Sequence, residues 1–233
     1  MPLLDSTLTP NEYYTLSPLL FWTIAGVASR SCSRNPTLLG VLPWRVHNLA
    51  LLSLGQHATL HNVQGLLLLL KWPFPKTHAN TDLTFPLSGA VLHMAMQIGL
   101  HFPLSSQEFS KVRLRLSEAE VKKRTETWAY CVLVYQEICL CKGNPPTLLR
   151  DVSHDLEQRR VLLQKIDPRL KFEVKVQDIV AKFCRAVSSH GLRVLSADQE
   201  RSLTILIQTF LTQVQDIRLE SSSGMFYVFV LLT

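Results

Sequence analysis

No apolar run in this chain reaches the ~18 residues that a membrane-spanning helix needs. The nearest cases, Val63 to Leu70 and Met225 to Leu232, are both too short. The opening segment, MPLLDSTLTPNEYY, lacks a basic start followed by an apolar core, so it does not read as a secretory signal. Cysteine is sparse. The five residues Cys32, Cys131, Cys139, Cys141 and Cys184 are odd in number and irregular in spacing. They imply no disulfide framework and fit reduced thiols of the cytosol or nucleus. Strict polar–apolar alternation is also missing, so no strand is predicted. Catalytic signatures are absent: there is no G-x-S-x-G elbow, no H-E-x-x-H, no phosphate loop and no G-x-G-x-x-G. The nearest group of carboxylates, Asp151, Asp155 and Glu157, falls in a linker-like segment. Nothing here favours an enzyme.

Charge is scarce too, at 18% of residues against 47% hydrophobic. That balance excludes a disordered chain and points to helices buried on most sides. The net charge of +6 permits contact with nucleic acid or acidic partners without establishing either. Its densest part, Lys111 to Arg124, also holds Glu118 and Glu120 and reads as a solvated helix face. The runs Lys122-Lys123-Arg124 and Arg159-Arg160 are read the same way, ahead of a nuclear-import or phosphate-contact role.

Local signals place the helices. Ser17 and Pro18 open one that runs to about Arg30. A second is predicted from near Pro43 to Leu54, and a third from His57 to Lys71, stopped by Pro73 and Pro75. Five consecutive leucines, Leu66 to Leu70, cover every face of the third, which places it inside a bundle. The next starts near Asp82 or Thr84, carries Leu87, Val91, Met94 and Ile98, and ends at Gly99. Met96 falls off that stripe. Ser117 and Glu120 form a capping box for a helix that Gly143 closes. A helix from Pro168 to His190 presents Phe172, Val176, Ile179, Phe183 and Val187, and Gly191 ends it. The last starts at Ser196 with Gln199, with a stripe of Leu203, Leu206, Ile207, Phe210, Val214 and Ile217. The fold class is all-α, an irregular multi-helix bundle of paired antiparallel helices. Residues 1–16 read as an N-terminal extension, 17–220 as the helical domain with an internal linker at 146–167, and 221–233 as a C-terminal tail ending inside an apolar pattern, as a truncated helix or a read-through would.

Two candidate metal patterns are weak. Cys139 and Cys141 within one helix point their thiols apart, and buried thiols are the reading. His57 and His61 share a helix face, with His47 one helix away, but no carboxylate joins them. No metal site is assigned.

The stretch QGLLLLLKWPFPKTHANTDLTFPLSGAVLHMAMQIGLH, Gln64 to His101, resembles the middle regulatory domain of fungal zinc-cluster transcription factors. In that family a leucine-rich helix leads through a loop to a helix ending in G-L-H, here Gly99-Leu100-His101. The W-P-x-P form, Trp72-Pro73-Phe74-Pro75, is most similar to the branch that includes leucine-pathway regulators. Arg124, Trp128 and the turn Gly143-Asn144-Pro145-Pro146 stand where the family has a basic residue, a tryptophan-bearing helix and a G-R-P turn. The start from Ser17 to Arg30 matches as well, and the resemblance extends to Pro146. The chain departs from the pattern at Asn144, where arginine is usual, and at Tyr135-Gln136, where an acidic–basic pair is common. The family's six-cysteine cluster, beginning C-x2-C-x6-C, has no counterpart here.

The resemblance implies nuclear regulation of transcription by RNA polymerase II, through an effector-sensing or autoinhibitory domain that binds no specific DNA site by itself. It implies no cofactor in this chain, since two zinc ions belong to the cluster it lacks. The implied partners are a small-metabolite effector, the transcription machinery or other parts of the regulator, and no membrane. The candidate effector pocket comprises Trp72, His78, His93, His101 and Trp128. The alternative is a helical protein–protein interaction scaffold unrelated to transcription.

Overall fold

The leucine-rich helix sits at the centre. The computed structural model describes residues 4–35, 37–75, 82–103, 116–149, 166–189 and 196–221. Eight α-helices are found among these residues: α1 Pro10–Leu16, α2 Pro18–Ala28, α3 Leu38–Leu54, α4 Leu60–Lys71, α5 Thr84–Gln97, α6 Glu118–Cys141, α7 Pro168–Ser189 and α8 Ala197–Ser221. No strand occurs among them. Within α4 every residue from Asn62 to Leu70 is buried, because α2, α5 and α6 pack around it. Outward from this centre, α3 packs on α2, α7 on α6, and α8 on α7.

The predicted caps form as hydrogen bonds. The Leu20 N–H donates to Ser17 Oγ at 3.1 Å, with Pro18 at the first helical position. Ser117 and Glu120 close a reciprocal capping box, and Ser196 and Gln199 do the same for α8. Gly99 and Gly143 are the two glycines with positive φ, at 70° and 67°. At each, the two following amides fold back in the same way: Gly99 N–H to Met96 O and Leu100 N–H to Ala95 O, then Gly143 N–H to Leu140 O and Asn144 N–H to Cys139 O, all at 2.9 Å. This crossed pair terminates a helix on a left-handed residue.

Four expectations change. Within the N-terminal segment Thr9 and Glu12 form a capping box that opens a helix not predicted, α1, and Tyr14 packs edge-on against Phe21 at 5.5 Å. The second expected helix starts at Leu38, so Pro43 lies inside α3 and not at its start. The missing Pro43 N–H costs the Leu39 carbonyl its intrahelical partner, and burial of Leu42 and Val46 on either side offsets that loss. The next begins at Leu60, capped by Thr59. His57 therefore lies outside α4 and shares no helix face with His61. Finally, α7 has two apolar faces. Leu170, Val174 and Ala181 are the buried ones. The predicted stripe through Phe183 is half-buried and meets α8, where Phe183 and Phe210 stack at 4.4 Å.

No helix among the described residues is long and apolar enough to cross a membrane. The segment holding Asp151, Asp155, Glu157 and Arg159-Arg160, along with Gly191 and the tail from Met225, falls outside the described residues.

Candidate functional site

The G-L-H element and the α6 motif meet at one junction. The crossed bonds at Gly99 end α5, and the Ile98 carbonyl, at the C-cap, has no further turn of its own helix to bond to. The Arg124 guanidinium, reaching from the first half of α6, donates to that carbonyl. One turn along α6, the Trp128 ring lies 5.9 Å from the His101 ring, which in turn contacts Phe102 at 4.6 Å. Leu100, between Gly99 and His101, is fully buried. Arg124, Trp128, Gly99 and His101 thus form one contact set, although 23 positions separate His101 from Arg124.

Burial holds the His101 imidazole below its ordinary pKa of 6.5 and acts in the same direction on His47 and His61. The folded state therefore resists a proton that the unfolded chain accepts. The associated stability is present above the ordinary imidazole value and is lost as pH falls from it through the lowered folded value. The melting midpoint is expected to drop between about pH 7.5 and pH 5, with a shallower slope in His101→Gln. A midpoint independent of pH over that range would contradict the burial seen at these rings.

The other candidates lie elsewhere. Trp72 caps the C-terminus of α4, at the opposite end of α5 from His101. That helix has 14 residues, about 20 Å at 1.5 Å per residue. His93 is exposed on α5, with Nδ1 2.9 Å from the Gly89 carbonyl of its own helix. His78 falls outside the described residues. The expected five-residue pocket therefore divides: His101 and Trp128 are together, while Trp72 and His93 stand apart from them.

Trp72 belongs to a second junction, which holds the rest of the family motif. Arg30, in the short 3-10 turn Ser29–Ser31 that follows α2, donates to the Trp72 and Pro73 carbonyls at 2.9 and 2.5 Å. Phe74 is the buried residue of Trp72-Pro73-Phe74-Pro75; its ring fills the space over Gly26, where a Cβ would overlap it, and meets His47 edge-on at 5.9 Å. Lys71 pairs with Glu137 at 2.8 Å, and Lys142 with Asp82 at 2.6 Å, so the last turns of α6 tie the end of α4 to the start of α5. Gly143 turns the chain there, Pro146 is buried and Pro145 half-buried, and the Leu148 N–H donates to Tyr135 Oη at 3.4 Å. Sequence reasoning missed Arg30, Phe74 and Gly26 as a set. The signal was Phe74 itself, an aromatic between two prolines in a segment otherwise treated as a loop.

Cys131 and Cys139 are buried in α6, whereas Cys141 is exposed. Cys32 and Cys184 lie outside that helix. No group of three or more His, Cys, Asp or Glu is clustered for a metal among the described residues. These cysteines do not fit a two-zinc cluster, which needs six thiolates brought together.

The chain is homologous to fungal transcription factors and corresponds to the middle of those long proteins. Its relatives include SEF1 of Kluyveromyces lactis, named as a transcription factor, 30% identical over 200 residues that cover 84% of this chain and 17% of that protein. SEF1 of Candida albicans, a transcriptional regulatory protein, is 29% identical over 153 residues, 64% of this chain and 16% of that protein. LEU3 of Saccharomyces cerevisiae, a regulatory protein, is 25% identical over 161 residues, 62% of this chain and 18% of that protein. The chain thus spans less than a fifth of the length of these relatives. No family model and no solved structure matches it.

Proposed function

We propose that this chain is a regulatory segment of a fungal transcription factor, acting in the nucleus on transcription by RNA polymerase II, with the α5–α6 junction as its sensing or self-restraining element. One observation supports this above others: the residues that carry the resemblance to the regulator family, Gly99, His101, Arg124 and Trp128, converge on one helix junction, in a chain homologous to SEF1 and LEU3. The junction offers a guanidinium, a half-buried neutral imidazole and an indole face. Those groups suit binding and positioning, not bond-making. A metabolite that bound one arrangement of this junction more tightly than another would shift the regulator between states, and only that difference in affinity could do so. DNA recognition and zinc binding would belong to a cluster outside this chain.

The test places the chain between a DNA-binding module and an activation segment in a yeast reporter strain. Output is expected to differ at least twofold from that with an inert helical spacer of equal length. Trp128→Ala is expected to remove the difference while the protein remains folded by circular dichroism. Output equal to the spacer's would overturn the reading.

A further inference from the structure

The outer face of α3 is apolar and has no partner among the described residues. Leu42, Val46, Ala50 and Ser53 are its buried side. On the other side Leu38, Val41 and Leu52 share one face at helical spacing, with Trp44 and Leu51 beside them and Arg45 and half-buried Asn48 interleaved. Val41 is 70% exposed, Trp44 75% and Leu52 63%. A stripe of this spacing matches one face of a second helix. From Leu38 to Leu52 it runs for about 21 Å at 1.5 Å per residue, or four turns.

The charged residues of the segment that carries this face have one sign. No Asp or Glu occurs between Glu12 and Asp82, a stretch that carries Arg30, Arg34, Arg45, Lys71 and Lys76. Arg30 is held by the Trp72 and Pro73 carbonyls, and Lys71 by Glu137. Arg34 and Arg45 remain exposed at the α2–α3 layer. Arg45 lies over the Trp22 ring at 4.2 Å, which orients the guanidinium at the rim of the stripe. A second copy pairing through this same face would bring the same cations against themselves, with no carboxylate from the Glu12–Asp82 stretch to meet them. A helix with an apolar stripe and acidic flanks would meet both requirements.

We propose that the outer face of α3 is a docking surface for an acidic amphipathic helix, which lays its apolar stripe along Leu38, Val41, Trp44 and Leu52 and its carboxylates toward Arg34 and Arg45. The surface lies on the α2–α3 layer, and the assignment does not rest on the α5–α6 reading. Complementary charge at the rim selects the partner, and the apolar stripe supplies the contact area.

The probe is a labelled synthetic peptide of three heptads, leucine on one face and glutamate elsewhere, titrated by fluorescence anisotropy against the full chain. Its lysine counterpart is the control. The glutamate peptide is expected to bind at least on the order of tenfold tighter than the lysine peptide, with the preference shrinking as salt rises. The double variant V41S/L52S is expected to lose binding, and Arg45→Glu to reverse the preference. Both alter exposed side chains, so circular dichroism and melting should stay near wild type and separate lost binding from lost folding. Equal binding of both peptides, binding unaffected by V41S/L52S, or dimerisation in sedimentation abolished by V41S/L52S would each overturn the proposal; the last would assign the face to a second copy.

Discussion

Replacing Gly65 with leucine is expected to prevent the chain from folding to its native helix packing. Gly65 sits where α4 crosses α2. A Cβ built there would lie 3.1 Å from Leu20 Cα, Leu20 N and Leu19 Cγ. Two of those atoms are backbone, so the crossing helix itself would have to move. Overpacking a well-fitted core costs about 1–3 kcal/mol where side chains can adjust, and here the obstacle is a main chain. Gly65→Ala is expected to destabilise measurably, and Gly65→Leu to lose the cooperative melting transition. Gly40 supplies the contrast. It lies in α3 with nothing within 4 Å of its added Cβ, so Gly40→Ala should stabilise by about 0.5–1 kcal/mol through helix propensity alone. Equal effects at the two glycines in thermal melts would contradict the close α2–α4 approach.

Phe74→Ala is expected to cost about 3–5 kcal/mol, the range for emptying a buried phenylalanine site. The loss has a specific geometry. The Phe74 ring fills the notch over Gly26 and meets His47, so its removal leaves α2 and α3 without the side chain that joins them to the end of α4. Arg30 would then hold the Trp72 and Pro73 carbonyls without that packing beneath them. Chemical denaturation should show a lowered midpoint with little change in slope, since the same surface is exposed on unfolding. A cost below about 1 kcal/mol would mean that the surrounding side chains collapse into the site. Trp72→Ala is expected to cost less, because Trp72 is only half-buried.

Much of the candidate site was legible as pieces and not as an arrangement. Gly99, His101, Arg124 and Trp128 each stood out through the family resemblance. What could not be read was that Arg124 caps the end of α5 while Trp128 packs on His101. His93 and Trp72 are grouped with them by sequence because they lie in the same stretch of chain. Helix length separates Trp72, since a 14-residue helix carries its two ends about 20 Å apart; His93 is set apart by its place on the exposed face of α5, against the Gly89 carbonyl. In α7 the sequence showed one stripe where the structure has two apolar faces. The stripe through Phe183 is half-buried and meets α8 at Phe210, and the buried side carries fewer large residues.

The central helix shows where the division falls. From sequence alone, five leucines on every face, proline stops, glycine closures and serine capping boxes determined that the protein is built of helices and where most of them begin and end. Those signals act through hydrogen bonds and backbone dihedrals within about five residues, so no partner is needed to read them. Only the tertiary structure decided which helices surround α4, that Gly65 is the crossing point, that Phe74 is a core residue, and that α3 keeps an apolar face outward. These depend on contacts between segments distant along the chain, where burial and close approach are set by the neighbour and not by the local pattern.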